Sequence, residues 1–339
     1  MKRFYNSCTF LLFFVIYFNC NNQPQIQPIE ETRIMMDTFV TITIYNNYFT
    51  NEQAQHIIEK AFAAMTRVDT LANNYNDSSK VSLLNIQARE GFAEVDPDLM
   101  YLIKKSIEVA ELSDGAFDIT VSPLIDVWHF DAEEPELPSK ADIQQALQVV
   151  NYKGIVIDEN RLKFADRSIK IDLGGIAKGF AVDEAMNVLV ENGVRDALIN
   201  AGGDIKAICS ELTEGRRKVW IRHPRQREEL YGYFQMDNGS VATSGDYERY
   251  MMIDSVRYHH ILDPNTGYPA MKSISVTIQA EDATTADALA TAVFVLGPEK
   301  GMKMINQLDK VEGVILFPEE NGIKHIVSEG LEDRFQKVE

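Results

Sequence analysis

The stretch "DATTADALATAVFVLG", residues 282–297, is predicted to form a helix that other parts of the chain approach closely, because alanine occupies every second position from 286 to 292. Asp287 and Thr291 lie four residues apart and therefore share one face of this helix. Two interpretations are open. Thr284 and Asp287 form a capping box while Thr291 bonds to the preceding turn, or Asp287 and Thr291 supply two oxygen ligands to a hard cation such as Mg²⁺.

A glycine turn precedes a second helix in "KIDLGGIAKGFAVDEA", residues 170–185. The pattern predicts a strand ending at Asp172, a turn at Gly174-Gly175, and a helix with Lys178 in its first turn. A cation at the start of a helix opposes the helix dipole, so an anion is expected beside it. A solvated lysine beside an ordinary glycine turn is the alternative. The spacing matches neither a dinucleotide-binding glycine motif nor a Walker loop, so both nucleotide folds are disfavoured.

Two further segments offer groups for ligand binding. In "DGAFDITVSPLIDVWHF", residues 114–130, the aromatic residues suit a ring system and Asp118 is a polar partner, although packing in the core is the alternative. In "VATSGDYERYMMIDSVRYHHILDPNTGYPA", residues 241–270, adjacent strand residues point to opposite faces, so only one of His259 and His260 can face a given pocket. A histidine just before a turn is a candidate general base for activating a hydroxyl.

The rest of the chain alternates helical and strand patterns. Residues 39–45, "FVTITIY", alternate with the period of a strand, and a helix is predicted to begin at Asp96-Pro97. A short strand is predicted at residues 168–172, "SIKID", and a hairpin at Asn238-Gly239. No internal repeat or later linker interrupts the pattern. Residues 31–335 are therefore predicted to form a single α+β unit with a largely antiparallel sheet and packed helices.

The composition excludes some classes of function. The chain has 339 residues, 45% of them hydrophobic, which is enough for a large domain with a real core. Its formal net charge of −18 argues against nucleic-acid binding, because a phosphate backbone is bound by basic surfaces. A phosphate-bearing ligand must therefore be met by local devices, namely a metal ion, a single lysine, or amides at helix starts and glycine turns.

The N-terminal segment has the pattern of an export signal. Two basic residues precede the apolar run at residues 10–18, "FLLFFVIYF", which is too short to span a membrane. We predict a signal peptide over residues 1–19, acylation of Cys20, and a polar linker over residues 20–30, although "YFNC" lacks the small residue usual before such a cysteine. Simple cleavage and an uncleaved anchor are the alternatives. The protein is expected to be an exported inner-membrane lipoprotein that faces the periplasm.

Four motifs stand in order along the chain: "MMDTF", "GAFDITVSPL", "IDLGGIAKGFAVD" and "VATSGDY…HILDPNTGYP…TTADALATAVFVLG". Together they resemble the ApbE family, the FAD:protein FMN transferases, over almost everything from about residue 30 to the end of the chain. The resemblance implies a single T-fold-like unit. The pattern departs from the family at Asp37, where glycine is usual, and at Tyr258, which precedes the paired histidines.

The resemblance also implies a Mg²⁺-dependent enzyme that binds FAD, cleaves its pyrophosphate, and joins FMN to a threonine or serine hydroxyl of another protein, releasing AMP. The acceptors of the family are subunits of membrane redox complexes and other exported flavoproteins. The implied flavin-nucleotide contacts are Met36, Tyr75, Ala116, Phe117, Asp118, Asp172, Lys178 and Ile261. The implied metal ligands are the carbonyl of Gly175 and the side chains of Asp287 and Thr291. A hydroxyl needs a base to remove its proton, and we expect His260, rather than His259, to be that base.

Three other functions are open at this point. The same metal site could let water replace the protein hydroxyl, which gives a periplasmic FAD pyrophosphatase that releases FMN and AMP. A second alternative is a lipoprotein that binds or delivers FAD without chemistry. A third is a solute-binding lipoprotein that binds no nucleotide. Labelling of an acceptor protein together with release of AMP distinguishes the transferase from all three.

Overall fold

The alternating residues of "FVTITIY" form a strand near one edge of a large antiparallel sheet. The computed structural model describes residues 27–46, 48–130, 132, 134–211, 213, 215, 217–320 and 322–338. Val40, Ile42 and Ile44 are buried on one face of this strand, as the period of two predicts. The predicted signal peptide and Cys20 lie outside the described residues. Within the described ranges, no helix is both long and apolar enough to cross a membrane.

Strands and helices are mixed along the whole chain. The strands are β1 (Gln27–Met35), β2 (Thr38–Asn46), β3 (Ala93–Glu94), β4 (Ile155–Asp158), β5 (Arg161–Phe164), β6 (Ala197–Ala201), β7 (Asp204–Ile208), β8 (Lys218–Arg222), β9 (Leu230–Gln235), β10 (Gly239–Gly245), β11 (Tyr250–Ile253), β12 (Val256–His259), β13 (Ser275–Ala280), β14 (Glu312–Glu319), β15 (Gly322–Val327) and β16 (Gln336–Lys337). The helices are α1 (Asn51–Ala72), α2 (Lys80–Gln87), α3 (Pro97–Leu112), α4 (Ser122–Trp128), α5 (Lys140–Leu147), α6 (Ala177–Glu191), α7 (Ala283–Leu296) and α8 (Pro298–Ile305). Short 3₁₀ turns cover Ile119–Val121, Tyr152–Gly154 and Glu329–Leu331.

The central sheet has the strand order β1-β2-β6-β7-β10-β13-β14-β15, and its neighbouring strands are antiparallel. Smaller sheets have the orders β3-β5-β4, β11-β12 and β16-β9-β8. Helix α7 contacts β10 and β13, α6 contacts β6 and β7, and α1 contacts α6. The predicted α+β architecture with a largely antiparallel sheet and packed helices is confirmed.

Helix α7 lies inside the core. Its alanines at positions 286, 288, 290 and 292 are all fully buried, and the helix contacts α6 as well as the central sheet. A helix that is apolar on all sides is stable only when other elements cover it. The close approach that the alanine spacing predicts is therefore confirmed, and it holds Asp287 and Thr291 on a rigid element.

Gly179 lies where α6 crosses α7, and the crossing leaves no room for a side chain. A Cβ atom built on Gly179 would overlap the carbonyl oxygen of Ala283 and would lie 2.9 Å from Asp287 Cβ. We expect Gly179→Ala to lower the free energy of unfolding by about 3 kcal/mol, because one of the two backbones must move. Urea unfolding measures the change. Gly91→Ala is the control, since nothing lies within 4 Å of its added Cβ, and equally small changes in both variants would contradict a tight crossing.

The strand predicted at residues 168–172 is wrong. Asn85 accepts a hydrogen bond from the Ile171 amide at 2.7 Å and donates one to the Ile171 carbonyl at 2.9 Å. The Asn85 side chain thus occupies the amide and the carbonyl of Ile171, which would otherwise pair with a neighbouring strand. The amide of Asp172 donates to the carbonyl of Ile119. These bonds lead the chain past α2 and place Asp172 just before the glycine turn that starts α6.

The hairpin predicted at Asn238-Gly239 is also wrong, because β9 and β10 belong to different sheets. Strand β9 pairs with β8 and β16, whereas β10 pairs with β7 and β13. Asn238 Oδ1 instead accepts the amide of Cys209 at 2.7 Å. The chain does bend at Asp237 and Asn238, just before β10 begins at Gly239, but contacts with distant strands decide the pairing.

The first strand begins at Gln27, within the segment 20–30 that the sequence predicts as a linker. The two-residue turn Met36-Asp37 joins it to β2, and both residues have positive φ, +49° and +58°. Two-residue hairpin turns favour this backbone because its twist matches that of the flanking strands. The family usually has glycine at position 37, and glycine adopts positive φ without strain. Aspartate also tolerates this backbone conformation, so the turn keeps its geometry with Asp37.

Candidate active site

A cavity of about 550 Å³ is lined by residues from widely separated parts of the chain. A volume in this range suits a small-molecule or cofactor ligand. All residues that the sequence analysis assigns to a site lie on its wall, namely Met36, Tyr75, Ala116, Phe117, Asp118, Asp172, Gly175, Lys178, His260, Ile261, Asp287 and Thr291. The fold thus brings the four sequence motifs to a single place.

Gly175 and Thr291 lie side by side on this wall. A Cβ atom built on Gly175 would lie 3.4 Å from Thr291 Oγ1 and 3.0 Å from the Phe117 ring. Ser244 Oγ is 3.4 Å from Thr291 Oγ1 on the neighbouring strand β10. A larger residue at position 175 would crowd the hydroxyl, whereas glycine leaves the backbone next to it.

The capping-box interpretation of Thr284 and Asp287 is wrong. Asp282 caps α7, because its carboxylate accepts the Thr285 amide at 2.7 Å and the Thr285 hydroxyl at 2.8 Å. The Thr284 hydroxyl donates to Asp183 at 2.6 Å. The carboxylate of Asp287 is therefore not needed at the start of its own helix, and it turns toward α6.

Asp287 belongs to a buried cluster with Lys178 and Asp204. The exposed fraction is 6% for Asp287 and 1% for Asp204, and Lys178 Nζ lies 2.8 Å from Asp204 Oδ2. Asp287 Oδ2 accepts the amide of Gly179 at 3.0 Å. Burial and the nearby Asp287 carboxylate raise the pKa of Asp204, and burial also raises the pKa of Asp287. Burial disfavours the charge of Lys178, but the two carboxylates outweigh it and raise the pKa of Lys178.

An anion is predicted beside Lys178 from the sequence, and the structure identifies it as Asp204, which is not among the predicted site residues. It follows the glycine pair of "NAGGD", where β7 begins. The position of an acidic residue directly after a glycine pair is the sequence signal that could have indicated Asp204.

The donor set of the cluster fits a hard divalent cation. Two buried carboxylates lie beside one ammonium group, so the ionised cluster carries an excess negative charge in a medium of low dielectric constant. In the described part of the chain, neither carboxylate oxygen of Asp204 accepts a well-directed hydrogen bond. The Thr291 hydroxyl and the Gly175 carbonyl add oxygen donors, which are the ligands that Mg²⁺ prefers.

His260, rather than His259, lies on the cavity wall. His259 uses both ring nitrogens in the core, since Nε2 is 2.9 Å from the Ala270 carbonyl oxygen and Nδ1 accepts the Ile261 amide at 3.3 Å. His260 Nδ1 is 3.1 Å from the carbonyl oxygen of Arg249. A carbonyl oxygen only accepts, so Nδ1 carries the proton and Nε2 is the proton acceptor of the ring. Burial lowers the pKa of His260 to about 4, which keeps the imidazole neutral at physiological pH.

Asp118 and Asp172 are hydrogen-bonded within the protein. Asp118 accepts the Thr120 amide at 2.7 Å, the Thr120 hydroxyl at 2.6 Å and the Tyr152 amide at 3.0 Å. Burial raises the pKa of Asp118, although these bonds oppose the shift. Asp172 Oδ1 accepts the amide of Gly174 at 2.7 Å. Both carboxylates therefore hold the loops of the cavity wall in place.

Arg249 and Asn74 also line the cavity, although neither is among the site residues predicted from the sequence. The Arg249 guanidinium donates to the Tyr75 hydroxyl at 3.1 Å, and the Arg249 carbonyl accepts from His260. Asn74 Nδ2 donates to Asp172 at 3.2 Å. Arg249 lies within the stretch 241–270 and Asn74 directly precedes Tyr75, so proximity to a predicted site residue was the available signal.

The chain is similar to one family of proteins along most of its length. The model of the ApbE family matches residues 36–315. An FAD:protein FMN transferase of Treponema pallidum is 29% identical over 340 aligned positions, which cover 95% of this chain and 92% of the relative. An FAD:protein FMN transferase of Klebsiella pneumoniae is 28% identical over 286 positions, covering 84% of this chain and 87% of the relative.

Solved structures share the fold. The crystal structure of the ApbE protein from Thermotoga maritima has a TM-score of 0.82 and 36% identity, covering 91% of this chain and 99% of that one. The flavin transferase ApbE from Vibrio cholerae has a TM-score of 0.81 and 25% identity, with the same coverage of 91% and 99%. With a family match over residues 36–315 and this likeness in structure, the chain belongs to the ApbE family.

Proposed function

We propose that this protein transfers FMN from FAD to a threonine or serine hydroxyl of an acceptor protein and releases AMP. The observation that carries the proposal is the convergence of a neutral histidine, a buried acidic cluster and a helix start on one cavity. The relatives named as FAD:protein FMN transferases support the same reaction. The product carries FMN through a phosphoester bond.

Different parts of the cavity wall suit the flavin ring and the pyrophosphate of FAD. Met36, Phe117 and Ile261 offer apolar surface for the flavin ring. Ala177 and Lys178, at the start of α6, also lie on the wall. The dipole of α6 favours a phosphate group at the start of the helix, although the amides of Ala177 and Gly179 already donate to the Leu173 carbonyl and to Asp287. Lys178 brings a positive charge to the same place, and Asp204 balances part of it. We therefore assign the pyrophosphate to the start of α6.

Mg²⁺ is the cation that we propose for the acidic cluster, held by Asp287, Thr291 and the carbonyl of Gly175. When bound, Mg²⁺ would neutralise charge on the pyrophosphate and polarise the phosphorus atom under attack. The protein contributes rigidity, because Asp287 and Thr291 lie on a helix that is enclosed by the core.

His260 is the proposed general base of the transfer. The hydroxyl oxygen of the acceptor bonds to the phosphorus atom of the FMN half, the P–O bond of the pyrophosphate breaks, and AMP leaves with the bonding electron pair. The hydroxyl proton passes to His260 Nε2, which is the acceptor nitrogen because Nδ1 donates to Arg249. General-base catalysis of this kind contributes about 10²–10⁴-fold to a rate.

We also propose that the protein is exported and is held at the inner membrane by a lipid on Cys20, with its catalytic unit in the periplasm. The support is the basic N-terminus followed by a short apolar run before Cys20. Its acceptors are then exported flavoproteins, including subunits of membrane redox complexes.

Incubation of the protein lacking residues 1–19 with FAD, Mg²⁺ and an exported acceptor domain tests the transfer. We expect the acceptor to gain the mass of one FMN while an equal amount of AMP appears, and we expect EDTA to stop both. Mass spectrometry and chromatography give the two readouts, and an acceptor whose hydroxyl residue is replaced by alanine is the control. Release of FMN without labelling would point to an FAD pyrophosphatase, and bound, intact FAD to a carrier.

A further inference from the structure

We propose that Asp204 is a positioning residue of the cation site, which neutralises Lys178 so that Asp287 can bind a divalent cation. The inference rests on the proposed function, because it assumes that the cluster binds Mg²⁺. Asp204 is 1% exposed and does not itself line the cavity. It therefore acts through its neighbours and not by contact with FAD.

The hydrogen bonding of Asp204 points to a ligand. Within the described residues, both of its carboxylate oxygens lack a well-directed hydrogen bond, although Lys178 Nζ is 2.8 Å away. A buried carboxylate in this state is costly unless a positive charge compensates it. Asp287 lies beside it and adds a second negative charge. One lysine balances one of the two carboxylates, so the cluster retains a site for further positive charge.

Asp183 is a buried aspartate with a purely structural role, and it joins α6 to the start of α7. It lies on α6 and pairs with Lys206 at 2.5 Å, as Asp204 pairs with Lys178. Its oxygens, however, accept the amides of Ala283 and Thr284 at 3.0 and 2.8 Å. Asp183 therefore serves the start of α7, whereas Asp204 has no such backbone donors in the part of the chain that the structure describes.

A change in the charge of the cluster should affect the affinity for Mg²⁺ and the affinity for FAD in opposite directions. With Asp204 present and both carboxylates ionised, one positive and two negative groups favour a divalent cation. Without Asp204 the cluster is neutral, so cation binding weakens, while the released Lys178 becomes available to the phosphates of FAD. Without Lys178 the cluster has two negative charges, so cation binding should strengthen and binding of the FAD phosphates should weaken.

Calorimetric titrations of the full chain with Mg²⁺, and with FAD in the presence of EDTA, test this account. For Asp204→Asn we expect the Mg²⁺ affinity to fall about tenfold or more and the metal-free FAD affinity to rise about threefold. The introduced amide can donate to Asp287, so the variant should fold, and thermal unfolding checks this. For Lys178→Gln we expect tighter Mg²⁺ binding and weaker metal-free FAD binding.

Asp183→Asn is the matched control, because it also removes the charge of a lysine-paired, buried aspartate. It should keep both affinities within about twofold of the unmodified chain, since Asp183 is bonded to the α7 start. An Mg²⁺ affinity of Asp204→Asn equal to that of the unmodified chain overturns the inference. Parallel loss of both affinities, as in a collapsed pocket, overturns it as well. If the unmodified chain binds neither Mg²⁺ nor FAD, the proposed function itself is wrong.

Discussion

Asp287→Asn is expected to abolish FMN transfer at ordinary Mg²⁺ concentrations, with a fall in rate of about 10³-fold or more. The substitution removes the negative charge from the proposed cation ligand but preserves its shape. An amide oxygen can still accept the hydrogen bond of the Gly179 amide, which Asp287 Oδ2 accepts at 3.0 Å. The loss should therefore reflect the cation and not a displaced helix. Acceptor mass and AMP release measure the rate, and raised Mg²⁺ should recover part of it.

The free energy of unfolding of Asp287→Asn distinguishes a lost cation ligand from a damaged core. Asp287 and Asp204 are both buried and lie close together, so removing one charge relieves their repulsion. We expect the free energy of unfolding of Asp287→Asn to stay the same or to rise. Asp282→Asn on the same helix is the matched control, because asparagine caps a helix as well as aspartate does. Full transfer activity of Asp287→Asn at ordinary Mg²⁺ concentrations would contradict the proposal that Asp287 is a metal ligand.

His260→Ala is expected to lower the rate constant of transfer by about 10²–10⁴-fold while the affinity for FAD stays unchanged. His260 holds its ring in the tautomer that leaves Nε2 as the acceptor, because Nδ1 donates to the Arg249 carbonyl at 3.1 Å. Single-turnover kinetics with pre-bound FAD separate transfer from binding. An equal loss of FAD affinity would remove His260 from the role of base.

The neighbouring histidine provides the contrast. His259→Ala deprives the Ala270 carbonyl and the Ile261 amide of their partner, so it should lower the free energy of unfolding by about 1–3 kcal/mol. Transfer by the folded fraction should persist. A slowed transfer step in His259→Ala, with His260→Ala unaffected, would reverse the assignment.

The pH dependence of transfer follows from the lowered pKa of His260. The neutral form, which is the base, predominates above the pKa of about 4 and is lost as the pH falls through it. We therefore expect no loss of rate from His260 between about pH 8 and 6, and an acid limb only near the pKa. The measurement is a pH profile of the same single-turnover rate.

Features that depend on local spacing were predictable from the sequence. Asp287 and Thr291 share a face because the period of a helix places residues four apart together. Asp96 caps α3 with Pro97 in its first turn, as the dipeptide indicates. Val40, Ile42 and Ile44 share a buried face of strand β2 because the period of a strand is two. The functional roles given to the site residues stay predictions until the variants are measured.

Features that depend on distant partners were not predictable. Residues 168–172 have the pattern of a strand, but Asn85, 86 positions before Ile171, takes the backbone bonds of that segment. The hairpin at Asn238-Gly239 fails for a similar reason, because β10 pairs with β7 and β13. Asp204 carries no motif of its own, and its importance follows from the 2.8 Å distance to Lys178.

The sequence by itself determined the family resemblance, the α+β class and the set of residues able to bind a cation, a phosphate or a proton. Only the tertiary structure decided that Asp287 turns toward Gly179 instead of capping its helix, and that His260 and not His259 lines the cavity. The physical reason is that hydrogen-bond partners and burial are set by segments far apart in the chain. Local patterns carry the period of each element but not which element it meets.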